Sequence, residues 1–242
     1  MPSATLSAFD EARRRIATLG TAALLATAGG FLDGFTWVAH GHVFANAMTG
    51  NVVLLGINCF SGSWRAGLPH LEAILAFLAG VSTAQAMQWR SKRRGAHYSI
   101  VLVLEIGVLL ILSMLPPATP DILFIVAIAF AASMQVQTFR EVDGTSYNST
   151  FTTGNLRTLS EAAYCWFFAG RSPATARIVR DFAVICTAFL AGAIGGGYTA
   201  HAFGNRALWC CAALLALATL RVQYRLRVPQ VQPQQPSRPL ES

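Results

Sequence analysis

Apolar residues occur along this chain in long runs that short polar or basic segments separate. A helix that crosses the roughly 30 Å hydrocarbon core of a bilayer needs about 20 mostly apolar residues. Runs of this kind predict six transmembrane helices, at residues 16–39, 71–89, 98–115, 121–139, 181–200 and 207–224. Pro116, Pro117 and Pro120 predict a tight turn between the third and fourth helices, because proline ends a preceding helix.

Two further segments are apolar enough to enter the membrane but too polar to face lipid over a full crossing. The polar positions of residues 43–60 are Asn46, Thr49, Gly50, Asn51 and Asn58. Those of residues 147–169 are Asn148, Thr152, Thr153, Asn155, Arg157 and Glu161. We interpret both segments as re-entrant or broken helices.

The two polar segments share a tripeptide. Thr49–Asn51 reads Thr-Gly-Asn, and the same three residues recur 104 positions later at Thr153–Asn155. Each copy follows one predicted crossing and precedes two, and the Phe-Leu-Ala-Gly of residues 77–80 recurs at residues 189–192. These matches predict an internal repeat.

The composition is that of a membrane protein. Hydrophobic residues make up 54% of the 242 positions and charged residues 12%, and the mean hydropathy is +0.47. Soluble domains carry about twice that charged fraction. The proportions exclude an ordinary soluble domain, a disordered chain and a disulfide scaffold. The five cysteines have no CxxC spacing and predict neither disulfides nor metal ligands.

The net charge of +7 comes largely from basic clusters at the ends of apolar runs, in Arg13–Arg15, Arg90–Arg94 and Arg221–Arg227. Clusters so placed mark the cytoplasmic ends of transmembrane helices rather than a nucleic-acid surface. An even number of crossings must lie between clusters on one side. Residues 43–60 and 147–169 therefore enter and leave the membrane on the same side. The prediction is six crossings with both termini cytoplasmic.

The chain divides into three predicted regions. Residues 1–15 form a cytoplasmic N-terminal segment, residues 16–226 a membrane domain, and residues 227–242 a disordered cytoplasmic tail. The membrane domain contains repeat 1, about 16–115, and repeat 2, about 121–226. The first apolar run also resembles a secretory signal peptide, but it continues well past the cleavage motif, and we interpret it as an uncleaved helix.

The two halves have opposite orientations in this interpretation, because each contains an odd number of crossings. The predicted fold class is an all-α, polytopic membrane helical bundle with about six transmembrane helices plus two re-entrant or broken helices, in two inverted repeats. Polar breaks at corresponding places in such repeats mark a binding site near the bilayer midplane. Half-helices that begin near Gly50 and Gly154 would direct free N–H groups at that site.

The predicted substrate or ion site comprises Asp33, Asn46, Thr49, Gly50, Asn51, Gln137, Thr153, Gly154, Asn155 and Arg157. Threonine and asparagine can satisfy freed backbone groups or contact a solute without adding charge. Asp33, in the middle of the first helix, is either a proton or cation site or a cap for the polar break. Gln137 takes the equivalent position in repeat 2. Arg157 either pairs with Glu161 at the i, i+4 spacing or contacts an anion.

The sequence contains no nucleophile-elbow, HExxH or P-loop pattern, so we predict no enzyme, no cofactor and no metal. His40 and His42 are too few for a metal site and predict a surface loop. The leading hypothesis is a small-solute or ion transporter or permease. A membrane enzyme that acts on lipid, and a non-catalytic scaffold or sensor, remain as alternatives. The expected partners are the lipid bilayer and an unidentified small solute or ion, with a homo-oligomer left open and no nucleic acid.

Residues Gly30–Phe35 read Gly-Phe-Leu-Asp-Gly-Phe and precede Val43–Asn51, and the second half contains Ser133–Gln135 and Thr152–Asn155. In these segments the sequence resembles the YoaK-like family of bacterial membrane proteins of unknown function. Val136 and Gln137 stand where the family carries Gln-Asn. The resemblance covers nearly all of the chain. It implies a location in the bacterial inner membrane and implies no reaction or substrate.

Overall fold

The computed structural model of the protein describes residues 15–90, 96–142, 144–147, 149 and 152–227. Its α-helices are α1 (Leu19–Ala39), α2 (Met48–Phe60), α3 (Trp64–Arg90), α4 (Ala96–Ser113), α5 (Asp121–Thr138), α6 (Thr152–Phe168), α7 (Pro173–Phe203) and α8 (Leu208–Arg227). A 3-10 turn, Gly204–Ala207, joins α7 to α8. The antiparallel strands β1 (Glu141–Val142) and β2 (Thr145–Ser146) lie between α5 and α6. The predicted N-terminal segment up to residue 14, the basic residues at 91–95 and the tail from residue 228 lie outside the described residues.

Five stretches of the described chain are long and apolar enough to cross a membrane. Four are the single helices α1, α3, α4 and α5. The fifth, Pro173–Arg227, has 55 residues and contains both α7 and α8. Large apolar side chains such as Leu75, Ile111 and Leu190 are exposed on the outer faces of these helices, where a bilayer would cover them. The protein is an all-α polytopic membrane bundle, which confirms the predicted class.

Two helices begin seven or more residues before the apolar runs that predict them. α3 begins at Trp64 rather than at residue 71, and α7 begins at Pro173 rather than at residue 181. The start of α7 has a local cause. The Ser172 hydroxyl oxygen accepts a hydrogen bond from the Thr175 backbone N–H at 3.1 Å, and Pro173 occupies the first turn, where no N–H is needed. The start of a helix is thus set by capping and not by hydropathy alone.

Glycines bring α1 and α7 into backbone contact. A Cβ atom at Gly30 or Gly34 would overlap the carbonyl of Phe189 or Ala193 on α7. A Cβ atom at Gly192 or Gly196 would overlap the α1 backbone in return. Small residues at i and i+4 allow such close approach in lipid, where van der Waals contact replaces the hydrophobic effect as the force between helices. The glycines therefore determine how α1 and α7 pack.

The remaining helices pack in a regular set of pairs. α3 packs on α5, where Gly80 lies against the Phe130 carbonyl and the Ser133 hydroxyl. The shorter helices are peripheral, with α2 against α3 and α6 against α7. α4 packs on α5 and α8, and α8 also packs on α1. The largest apolar core lies among α1, α4, α5 and α8 and includes Phe35, Leu102, Phe124 and Leu215.

Candidate functional site

The chain turns back into the bundle after α1. Gly41 and His42 have φ angles of +68° and +56°, a conformation that reverses the chain direction. Residues 40–47 are non-helical, and the Asn46 backbone N–H reaches Asp33, six residues before the end of α1. The Trp37 and Phe44 rings stack with centroids 4.5 Å apart across this return. α2 therefore begins inside the bundle rather than at its surface.

Asp33 connects this return segment to α1. Its Oδ1 atom accepts hydrogen bonds from the backbone N–H groups of Asn46 at 2.7 Å and Ala47 at 3.3 Å. Its Oδ2 atom is buried and has no hydrogen-bond partner among the described residues. The side chain is 4% exposed. One oxygen thus caps the polar break, while the other retains its capacity to accept a hydrogen bond.

Asn46 and Asn51 serve the backbone of the return segment. The Asn46 Nδ2 group donates to the Gly29 carbonyl at 3.2 Å, and its Oδ1 atom is buried without a partner in the described chain. Asn51 binds both backbone groups of Phe44, accepting from its N–H at 3.1 Å and donating to its carbonyl at 2.7 Å. The Nδ1 atom of His70 lies 3.2 Å from the same Asn51 Oδ1. The Asn51 side chain therefore closes the turn.

A cavity of about 630 Å³ lies between α1, α7 and the first residues of α2 and α6. Its polar lining comes from Asp33, Thr49, Gly50, Thr152 and Thr153. The remaining wall is apolar and includes Trp37, Val38, Phe44, Phe189 and Ala193. The cavity brings together residues from both Thr-Gly-Asn segments, which the sequence places 104 residues apart. We name it the central cavity.

Four of the predicted site residues line a different space. Gln137, Gly154, Asn155 and Arg157 face a groove of about 560 Å³ against α3 and α5. Gln137 donates to the Gln85 Oε1 atom at 2.6 Å. The Arg157 Nε group donates to Glu161 Oε1 at 2.8 Å on an exposed face of α6, at the i, i+4 spacing that predicts such a pair.

The site that the sequence predicts as one is therefore divided. Asp33, Thr49, Gly50 and Thr153 meet at the central cavity, and the α6 residues beyond Thr153 face away from it. The sequence reasoning missed Thr152 and the aromatic wall of Trp37, Phe44 and Phe189. Their signal was only their nearness to the breaks, since an aromatic residue in an apolar run has no pattern that distinguishes a cavity wall from core.

His40 departs from the predicted surface loop. It is 4% exposed, its ring stacks on Phe124 with centroids 4.0 Å apart, and its Nδ1 atom lies 2.8 Å from Asp121 Oδ1. The reason is that Asp121 begins α5 beside the end of α1, so the ring is buried between the two helix ends. His42 is exposed as predicted. Within the described residues no group of three or more His, Cys, Asp or Glu side chains could hold a metal ion.

Apolar helices that are long enough to cross a membrane define this molecule as a polytopic integral membrane protein. It belongs to the DUF1275 family, described as a protein of unknown function, whose model matches residues 21–221. This membership confirms the YoaK-like resemblance.

The chain is similar to the UPF0700 transmembrane protein YoaK of Bacillus subtilis (strain 168). The two sequences are 27% identical over 143 residues, which is 57% of this chain and 64% of that protein. The match thus spans less than two thirds of the relative's length. No solved structure matches the chain.

Proposed function

We propose that the protein is a small-solute or ion transporter or permease of the bacterial inner membrane, and that the central cavity is its binding site. One observation carries the proposal. Asp33 and the first turns of α2 and α6 converge on one cavity, where the Asp33 Oδ2 atom has no partner among the described residues. Helices that begin within the membrane expose N–H groups and a positive dipole end there. Such discontinuous helices form the solute and ion sites of secondary transporters.

The pattern of helix pairs supports two inverted repeats. α1 packs on α7 as α5 packs on α3, and α2 packs on α3 as α6 packs on α7. α1 also contacts α8 as α5 contacts α4, and α4 pairs with α8. An exchange of α1 with α5, α2 with α6, α3 with α7 and α4 with α8 leaves this list unchanged. An exchange of this kind supports two related halves, and the basic clusters supply the argument that the halves are inverted.

The basic clusters supply the orientation in this proposal. With both termini cytoplasmic, α1 crosses outward, α2 lies in the outer half of the bilayer and α6 in the inner half. The cavity between their first residues is then near the midplane. Movement of one half against the other would expose this cavity to each side of the membrane in turn. In this proposal the partners of the chain are the bilayer and a small solute or ion, and it has neither enzymatic activity nor a nucleic-acid partner.

A lipid-modifying enzyme is the second candidate, because His40 and Asp121 form a pair that could act as a general base. Both line an external cavity of about 1000 Å³ that also contains Ser113. The Ser113 hydroxyl, however, donates to the Leu110 carbonyl at 2.6 Å rather than to His40. The pair therefore has no nucleophile hydrogen-bonded to it among the described residues, and transport is the better supported function.

The experiment is a flux screen in proteoliposomes with and without an imposed pH or sodium gradient. Wild type is compared with Asp33→Asn, which keeps an oxygen acceptor for the Asn46 and Ala47 N–H groups and removes the charge. We expect the variant to fold and to lose the gradient dependence of uptake. Glu105→Gln is the matched control, because it removes a buried carboxylate that does not line the central cavity.

Equal gradient dependence in wild type and Asp33→Asn would end the coupling role of Asp33. Lipid turnover without flux of any solute would favour the enzyme instead. In that case His40→Ala is expected to abolish turnover while Asp33→Asn leaves it intact.

A further inference from the structure

The ionisable side chains of the central cavity are the starting point. Asp33 is the one carboxylate that lines it, and no lysine, arginine or histidine belongs to its described lining. The other polar lining groups are the neutral hydroxyls of Thr49, Thr152 and Thr153. An anionic solute would meet a like charge with no basic side chain to offset it, which is unfavourable in a low-dielectric site.

The helix dipoles do not reverse this preference, because Asp33 already occupies the positive end of α2, and the positive end of α6, about half an elementary charge, offsets only part of a full carboxylate charge. The Asp33 Oδ1 atom accepts from the N–H groups of Asn46 and Ala47, which directly precede α2, whose own N-cap residue makes no side-chain cap. A negative group at this position satisfies both the free N–H groups and the dipole. What is left unsatisfied is the Oδ2 atom, which is buried and has no donor among the described residues.

The walls beside Asp33 suit a cation with an apolar body. Trp37 and Phe44 line the cavity, as does Phe189, and the first two rings stack with centroids 4.5 Å apart, so each of them keeps one face free of the other. The face of an aromatic ring attracts a cation within about 6 Å. Val38, Ala193 and the bare backbone at Gly34 and Gly197 complete a wall with few polar groups. A hydrocarbon body would replace water there at little cost in lost hydrogen bonds.

We propose that the central cavity binds a small protonated amine with an apolar body, whose N–H group donates to Asp33 Oδ2 while its hydrocarbon portion lies against Trp37 and Phe44. This inference rests on the proposed function, because it names the substrate class of that site. A primary or secondary ammonium fits this cavity better than a metal cation does. Hard metal cations need several oxygen ligands, whereas the cavity offers one carboxylate and an aromatic wall.

The binding test uses the full chain in detergent and three probes of similar size, namely phenethylamine, 3-phenylpropionate and 2-phenylethanol, by isothermal titration. We expect phenethylamine to bind, and the anion and the alcohol to bind at least about tenfold more weakly, since a hydrogen bond between charged groups contributes more than a neutral one. Asp33→Asn is expected to weaken phenethylamine binding by about tenfold or more, and Trp37→Leu by several-fold. Glu105→Gln is expected to bind as wild type does.

Two results would overturn the amine site: 3-phenylpropionate binding as tightly as phenethylamine, or Asp33→Asn retaining wild-type affinity while its unfolding midpoint is unchanged. If Asp33→Asn does not fold, Trp37→Leu decides the matter, and unchanged affinity in that variant contradicts the proposed pose.

Counterflow of labelled phenethylamine in proteoliposomes, measured against protein-free liposomes, separates the two proposals. Binding without protein-dependent exchange supports the amine site and contradicts transport. Exchange of 3-phenylpropionate but not of phenethylamine supports transport and contradicts the amine site.

Discussion

At the scale of residues, the buried polar side chains around the return segment serve the protein backbone first. The Thr36 hydroxyl accepts from the Ala45 N–H at 3.2 Å, Asp33 accepts from the next two N–H groups, and Asn51 binds both backbone groups of Phe44. A non-helical segment inside a bilayer is tolerated only when its backbone groups are satisfied. These three side chains allow the chain to begin α2 inside the bundle.

Asn51→Leu tests this role. The change leaves the Phe44 N–H and carbonyl unpaired. We expect a loss of about 2–6 kcal/mol in the free energy of unfolding, because each of the two groups costs about 1–3 kcal/mol when it is unpaired. Asn155, also buried at the start of a short helix, is expected to be as sensitive. The control is Asn58→Leu, which removes a local bond to the Leu54 carbonyl within α2. Equal unfolding midpoints in detergent for the Asn51 and Asn58 variants would contradict the account.

Glu105 is a buried polar side chain that forms no hydrogen bond through its carboxylate in the part of the chain that the structure describes. It is 1% exposed within α4, and neither carboxylate oxygen has a hydrogen-bond partner among the described residues. A buried polar group without a partner destabilises the fold by about 1–3 kcal/mol. We therefore expect Glu105→Leu to raise the unfolding midpoint in detergent without loss of flux. A fall in stability would mean that the carboxylate has a partner in the folded protein.

The sequence could predict Asp33, Asn46 and Asn51 as residues of a helix break, because polar side chains in a membrane segment are costly unless they bind other polar groups. It could not predict that Asn51 faces Phe44 and not the cavity. That orientation depends on the turn at Gly41 and His42, whose positive φ angles leave no pattern in hydropathy. The sequence also could not predict that Trp37 and Phe44 line the cavity, because aromatic rings occur both in apolar cores and in cavity walls.

At the scale of elements, the contact between α1 and α7 holds the central cavity in place, since both helices form its wall. Gly192→Ala tests this contact. The added methyl group would overlap the Thr27 carbonyl, and we expect a loss of about 1–3 kcal/mol in unfolding free energy together with loss of flux.

Gly195→Ala is the matched control on the same helix. Nothing lies within 4 Å of a Cβ atom at Gly195. Replacing a helical glycine with alanine raises the free energy of unfolding by roughly 0.5–1 kcal/mol when the methyl group has room. The two variants should therefore change thermal stability in opposite directions. Equal effects would show that α1 and α7 do not pack as described.

The sequence predicted the existence of the six long helices and the two short ones, because apolar length is a strong signal. The apolar runs placed the first residues of α3 and α7 several positions too late in the chain. The Ser172 cap begins α7 before its apolar run, and hydropathy does not register a cap. The polar first turn of α3, from Trp64 to Gly67, resembles a loop in composition. Strands β1 and β2 lie on either side of the turn at Gly144, and at two residues each they are too short to produce an alternating pattern.

At the scale of the whole molecule, pairing between distant helices builds the proposed site. α1 packs on α7 and α3 on α5, so neither central pair is made of consecutive helices. The matching tripeptides predicted two halves, but hydropathy alone could not show that helices of one predicted half pack on helices of the other. The central cavity forms only where the first residues of α2 and α6 meet against α1 and α7.

The claim on which the transporter account depends is that α2 and α6 point to opposite faces of the membrane. Ser63 follows α2 and Ala169 follows α6, and both are exposed. Single cysteines at these positions, in a chain whose five native cysteines are replaced, can be labelled in intact cells with a membrane-impermeant thiol reagent. We expect Ser63→Cys to react in intact cells and Ala169→Cys to react only after the membrane is opened. Labelling of both from the same side would contradict the inverted arrangement and the midplane site with it.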